Sequence, residues 1–216
     1  VAPYALSVTY ESNKDLDSRT GAIGPSIVDV VLAVSEPLMT KPFLSLAPAG
    51  GTPINIDLTQ SNETTYRGYF PISSSTKSGT AYALFSARDL AGNRGTAITS
   101  GSTVLIDSAG PKVTRLDLQP ATPIKNDGGP TQVTVTVGLD EPTENMALIA
   151  KLSAHPDIPL SLSPVTPEAG EVEAFRATFE LPLDAGATPE SLTFEYSAKD
   201  ELQNEGTQIL GFEGAQ

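Results

Sequence analysis

The chain has 216 residues, a net formal charge of −13 and neither cysteine nor tryptophan. These values exclude disulfide staples and thiolate metal sites, and they weigh against nucleic acid and anionic membrane as partners. No apolar stretch approaches the roughly 18 residues that a membrane-spanning helix needs, so no membrane insertion by this segment is expected.

In chain order, residues 4–10 alternate as a first strand, with Leu6 and Val8 two apart, and a polar loop with Asn13, Asp15, Asp17 and Gly21 follows. Residues 27–34 form a dense β-branched run that stops at Ser35-Glu36-Pro37, where proline cannot continue a central ladder. Short strands are expected over 43–46, 54–58 and 66–72, separated by Pro48, Gly50-Gly51, Pro53 and the polar run 59–65. A strand over 81–87 leads into a loop, and 95–106 leaves it. Asp107-Ser108-Ala109-Gly110-Pro111 reads as a linker stiffened by its proline.

The same order then returns. Strands are expected over 113–118, 133–137, 148–152, 158–162, 175–181, 192–198 and 206–212, and Asp140-Glu141-Pro142 stands where Ser35-Glu36-Pro37 stood. The clearest repeat is Ser-Ala-Arg-Asp-Leu-Ala-Gly-Asn-Arg-Gly-Thr-Ala-Ile at 86–98, matched by Ser-Ala-Lys-Asp-Glu-Leu-Gln-Asn-Glu-Gly-Thr-Gln-Ile at 197–209. A repeat of this length marks a duplicated domain. No helical periodicity stands out, so the expectation is all-β: two antiparallel sandwiches in tandem, domain 1 over 1–107 and domain 2 over 108–216. Val28, Val30, Leu32, Leu84 and Val104 are expected in the first core. Val133, Val135, Val137, Leu192 and Phe194 are expected in the second.

The pattern Ala-x-Asp-x-Ala-Gly-Asn-x-Gly at 87–95, with a strand ending in Asp107 and then Gly110-Pro111, resembles the bacterial Ig-like repeats of surface adhesins and other secreted proteins. The second copy departs from the pattern, with Glu201-Leu202-Gln203 in place of Leu90-Ala91-Gly92. The resemblance implies an immunoglobulin-like fold, an extracellular or cell-surface location, and a non-enzymatic spacer within a longer exported chain. The chain begins with Val rather than Met, which fits a mature or excised piece. Its partners would be neighbouring domains of that chain, or a host or matrix protein or glycan. The alternative is a glycan- or protein-binding accessory module of a secreted polysaccharide-active enzyme.

Catalysis has little to stand on. The single histidine, His155, lies beside Pro156 with no nucleophile motif around it, and a sugar cleft would normally offer large aromatic faces. Tyr66, Tyr69 and Tyr82 keep glycan binding open. Asn62-Glu63-Thr64 matches an N-glycosylation sequon, a triplet common by chance. In an Ig-like topology the turn after the second strand and the last hairpin share one end of the sandwich. That placement would gather Asp140, Glu141, Asp200 and Asn204 near Asp107, with Asp15 and Asp17 approaching from the loop of the first domain. Calcium takes 6 to 8 oxygen ligands, so these seven residues are candidates for an interdomain Ca²⁺ site. Like-charged pairs about 5 Å apart at an effective dielectric near 20 would otherwise cost about 3 kcal/mol each. The competing expectation is that Asp89, Asn93 and Gly95 serve turn geometry alone, through an Asx turn and backbone with positive φ.

Overall fold

A computed structural model describes residues 1–125, 130–181 and 191–212. Contacts divide the chain into two compact units, Val1–Ala109 and Gly110–Gln216. Every described element is a strand or an irregular connection, and the strands lie in antiparallel sheets that pack as sandwiches.

Unit 1 holds β1 (Ala5–Ser12), β2 (Ile27–Val34), β3 (Phe43–Pro48), β4 (Ile54–Asn55), β5 (Thr59–Asn62), β6 (Thr65–Pro71), β7 (Gly79–Arg88), β8 (Arg94–Gly95) and β9 (Thr103–Ile106). One sheet runs β1-β2-β6-β5; the other runs β4-β3-β7-β8, with β9 also on β7. Period-2 alternation decides which face is buried. Along β2, Val28, Val30, Leu32 and Val34 point into the core while Ile27 and Asp29 face water. They meet Leu44 and Leu46 from β3 and Ala81, Ala83 and Phe85 from β7, with Phe70 filling the space between the sheets.

Unit 2 repeats the plan with β10 (Val113–Gln119), β11 (Thr131–Leu139), β12 (Asn145–Leu152), β13 (Ile158–Pro159), β14 (Ser163–Val165), β15 (Glu173–Leu181), β16 (Leu192–Lys199) and β17 (Glu205–Gly206). Its sheets run β10-β11-β15-β14 and β13-β12-β16-β17. Val133, Val135, Val137 and Leu139 form the buried row of β11, facing Leu148, Leu192 and Tyr196. Gly138 in that strand makes room for a side chain: a Cβ there would stand 1.9 Å from Glu171 Oε1. Glu171 accepts from Arg115 Nε at 2.6 Å and from its Nη2 at 3.2 Å, and this bidentate pair holds the Glu171 carboxyl below the usual carboxylate range.

The structure departs from the sequence expectations in several places. Leu6 and Val8, expected on one buried face, separate because a bulge between Ala5 and Ser7 breaks the alternation: Val8 is buried and Leu6 is exposed. The strand expected over 54–58 is only Ile54–Asn55. Leu84 is 51% exposed, because β7 turns its small residues and Phe85 inward and sends Leu84 out with Tyr82. Val104 and Phe194 are partly buried residues at the edges of their cores. Residues 59–62, expected as loop, pair with β6 as β5, since their exposed side chains leave the backbone free to hydrogen-bond at a sheet edge. The expected strands at 158–162 and 206–212 shrink to the two-residue pairings β13 and β17.

Candidate functional site

The twice-repeated motif is the hairpin after β7 and after β16. Asp89 and Asp200 are only 5% and 6% exposed, and each closes its loop with its own side chain. Asp89 Oδ1 accepts from the Asn93 amide N–H at 2.8 Å and the Ala91 N–H at 2.9 Å, while its Oδ2 accepts from Asn93 Nδ2 at 2.7 Å. Asp200 does the same with Asn204, at 2.8 Å from the backbone N–H and 2.8 Å from Nδ2. A buried carboxylate is tolerable only when its oxygens are so engaged. The side-chain bond from Asn93, helped by the Asn93 and Ala91 amides, holds the Asp89 carboxyl below its ordinary range.

The positive-φ residue in this loop is neither Asn93 nor Gly95. Gly92 takes φ 86°, and its counterpart Gln203 is held at φ 64° despite its side chain. Gly95 serves another purpose: a Cβ on it would lie 1.6 Å from the Pro3 carbonyl oxygen, and one on Gly206 would lie 1.8 Å from that of Pro111. In both units the hairpin glycine therefore lets the opening segment cross it backbone against backbone. In unit 2 the Pro111 carbonyl also accepts from the buried Tyr196 hydroxyl at 3.1 Å.

The candidate cation ligands fall as follows. In unit 1, Asp15 is exposed, and Asp17 Oδ1 accepts from the Thr20 N–H at 2.6 Å, the Thr20 hydroxyl at 2.5 Å and the Arg19 N–H at 3.2 Å, which lowers its pKa. Asp107, half-buried, accepts from the Ala109 N–H at 3.3 Å. In unit 2, Asp140 Oδ1 accepts from the Lys112 N–H at 2.7 Å. Glu141 and Asp200 bring carboxylate oxygens within 4.8 Å of each other, the spacing of two ligands on one cation. Two carboxylates do not fill a calcium shell of six to eight oxygens. Asp17, Asp140, Asp200 and Asn204 each have a structural task in their own unit.

His155 sits in the turn between β12 and β13. Of the three tyrosines weighed for glycan contact, Tyr66 is buried at 2% exposure. Tyr69 and Tyr82 are exposed but lie on different sheets of unit 1, so they form no common platform.

No family model matches the chain, and no curated protein does. Solved structures align along most of the chain, at low TM-scores. A tetra-tandem repeat from the extending region of a large adhesion protein aligns at 17% identity and TM-score 0.37, over 94% of this chain and 49% of that one. A DUF4785 family protein from Legionella pneumophila aligns at 12% identity and TM-score 0.32, over 93% of this chain and 54% of that one. Bovine butyrophilin aligns at 12% identity and TM-score 0.31, over 93% of this chain and 96% of that one. The chain spans about half the length of the first two.

The hairpin geometry yields two expected outcomes. Gly95→Ala should cost unit 1 about 3 kcal/mol or more, because backbone rather than a pliable side chain blocks the new methyl, while Gln203→Gly should stabilise unit 2 by about 1 kcal/mol by relieving a left-handed non-glycine residue. Urea titrations that left Gly95→Ala at native stability would refute the close crossing. The second concerns acid. Asp89 is ionised in the fold at a pKa below its unfolded value of about 3.9, so its contribution is complete above that pH and disappears as pH falls through the lower folded value. Asp17 titrates in the same direction, so the measure is a difference: between pH 4 and 2 the melting temperature of unit 1 should fall more steeply in the native chain than in Asp89→Asn.

Proposed function

We propose that the chain is a non-enzymatic Ig-like spacer within an exported surface protein of the adhesin type. One observation carries this reading: what the duplication retained is structural. The Asp–Asn pair, the hairpin glycine and the proline carbonyl against it recur in both units, and all of them are spent on closing the fold. The single histidine has no counterpart in the first copy. Fold alone does not assign function. Pulled by force, the full chain should unfold in two separate steps, each releasing about 105 residues, or about 350 Å of contour. A single cooperative step, or turnover of a glycan that vanishes with one carboxylate replaced, would overturn the spacer reading.

Calcium belongs to the same proposal, with Glu141 and Asp200 as a pair spaced to share an ion. The expected outcome is a melting temperature of unit 2 higher in calcium than in chelator, the difference disappearing in Glu141→Gln. Identical melting curves would leave these carboxylates as turn residues.

A second reading, an accessory binding module for glycan or protein, is favoured by one feature: the outer face of the β3-β7 sheet exposes Phe43, Tyr82 and Leu84 at 50%, 54% and 51%.

A further inference from the structure

The two units share one architecture, so each face of one has an internal control in the other. Phe43 stands opposite Ser86, Ala47 opposite Tyr82, and Tyr82 opposite Thr103, so these side chains share the outer face of the sheet. Leu84 and Arg88 follow on the same side of β7 at two-residue intervals, and Arg94, paired with Arg88, donates from Nε to the Ser86 hydroxyl at 3.0 Å. From Tyr82 to Ser86 the row covers about 14 Å at a strand rise near 3.4 Å per residue.

The same positions in unit 2 carry different chemistry. At the 111-residue offset of the repeat, Tyr82 becomes Thr193, Leu84 becomes Glu195 and Arg94 becomes Glu205. Lys151, in the place of Ala47, pairs with Glu195 at 2.6 Å and Asp157 at 3.3 Å. One copy of the face thus mixes both signs, with Lys199 in the place of Arg88 beside Glu195 and Glu205, and is closed by its own ion pairs. The other is aromatic and cationic.

In a chain of net charge −13, the outward strand positions around Tyr82 hold no Asp or Glu and two arginines. Their apolar surface amounts to about 400 Å² or less, taking half of each large side chain as exposed. A stable protein interface needs about 800 Å² per partner, so a second copy or another globular domain gains too little here. Sugar rings stack on exposed aromatic faces, hydroxyls of Ser86, Thr80 and Thr103 lie on the same face of the sheet, and each guanidinium spends one described N–H on its own unit while offering five. Arginine forks match carboxylates.

We propose that this face of unit 1 binds an acidic polysaccharide, a chain of uronate sugars laid along β7 with rings against Tyr82 and Phe43 and carboxylates on Arg94 and Arg88. It rests on the accessory-module reading and names its ligand class. The probes are polyuronate oligosaccharides and neutral β-linked oligosaccharides of equal length, titrated calorimetrically into the full chain. Saturable binding of the polyuronate is expected, weakening at least tenfold in Tyr82→Ala and in Arg94→Glu, the latter installing the charge that unit 2 carries there. It should persist in Glu195→Gln, and all variants should keep the native melting temperature. Binding of neutral oligosaccharides alone would overturn the acidic ligand while leaving the module reading; no saturable binding of either would overturn both. Polyuronate binding that survives Tyr82→Ala and Arg94→Glu would place the ligand elsewhere and overturn the assignment.

Discussion

The close crossing of two backbone segments governs each unit. A carbonyl oxygen, from Pro3 in one and Pro111 in the other, occupies the space that a hairpin glycine's side chain would need. This contact ties the opening of a unit to its last hairpin, and with them the two sheets, since the first segment leads into one sheet and the hairpin belongs to the other. The buried Asp–Asn pair serves the same end by fixing the loop that presents the glycine. With no disulfide to hold the sheets, closure depends on hydrophobic burial between them and on this pin at one end.

Much of this was legible in the residues. The β-branched runs at 27–34 and 133–137 announced the central strands because period 2 and proline stops act locally. The repeat of Asp, Asn and Gly marked the hairpin, though the job of Gly95 was not readable: positive φ and close approach both select glycine, and only coordinates separate them. Leu84 was misplaced because alternation gives two faces without saying which is inner, and here Phe85 and three alanines went inward while Tyr82 and Leu84 went outward. Tyr66 was misplaced in the opposite sense. The cation candidates were legible as charges and topology but not as commitments, since nothing in a sequence tells whether an aspartate's oxygens already belong to neighbouring amides.

The copies have diverged most where folding constrains them least. Buried positions stayed apolar, while the outer face of the second sheet moved from Tyr, Leu and Arg to Thr, Glu and Glu. Charge moved with it: unit 1 has nine acidic and seven basic residues, unit 2 seventeen and six. The fold tolerates this because a side chain on an outer sheet face answers mainly to its cross-strand neighbours.

The proline that reads as part of a linker also fixes how such modules can be copied. Pro111 is the first pinned residue of unit 2, just as Pro3 is of unit 1, and a Cβ on the preceding Gly110 would already stand 2.3 Å from the backbone of Glu205. A gene duplication that breaks ahead of this Gly-Pro pair transmits a repeat able to close by itself. One that breaks behind it leaves a glycine facing an empty space, so viable crossovers should cluster upstream of the proline.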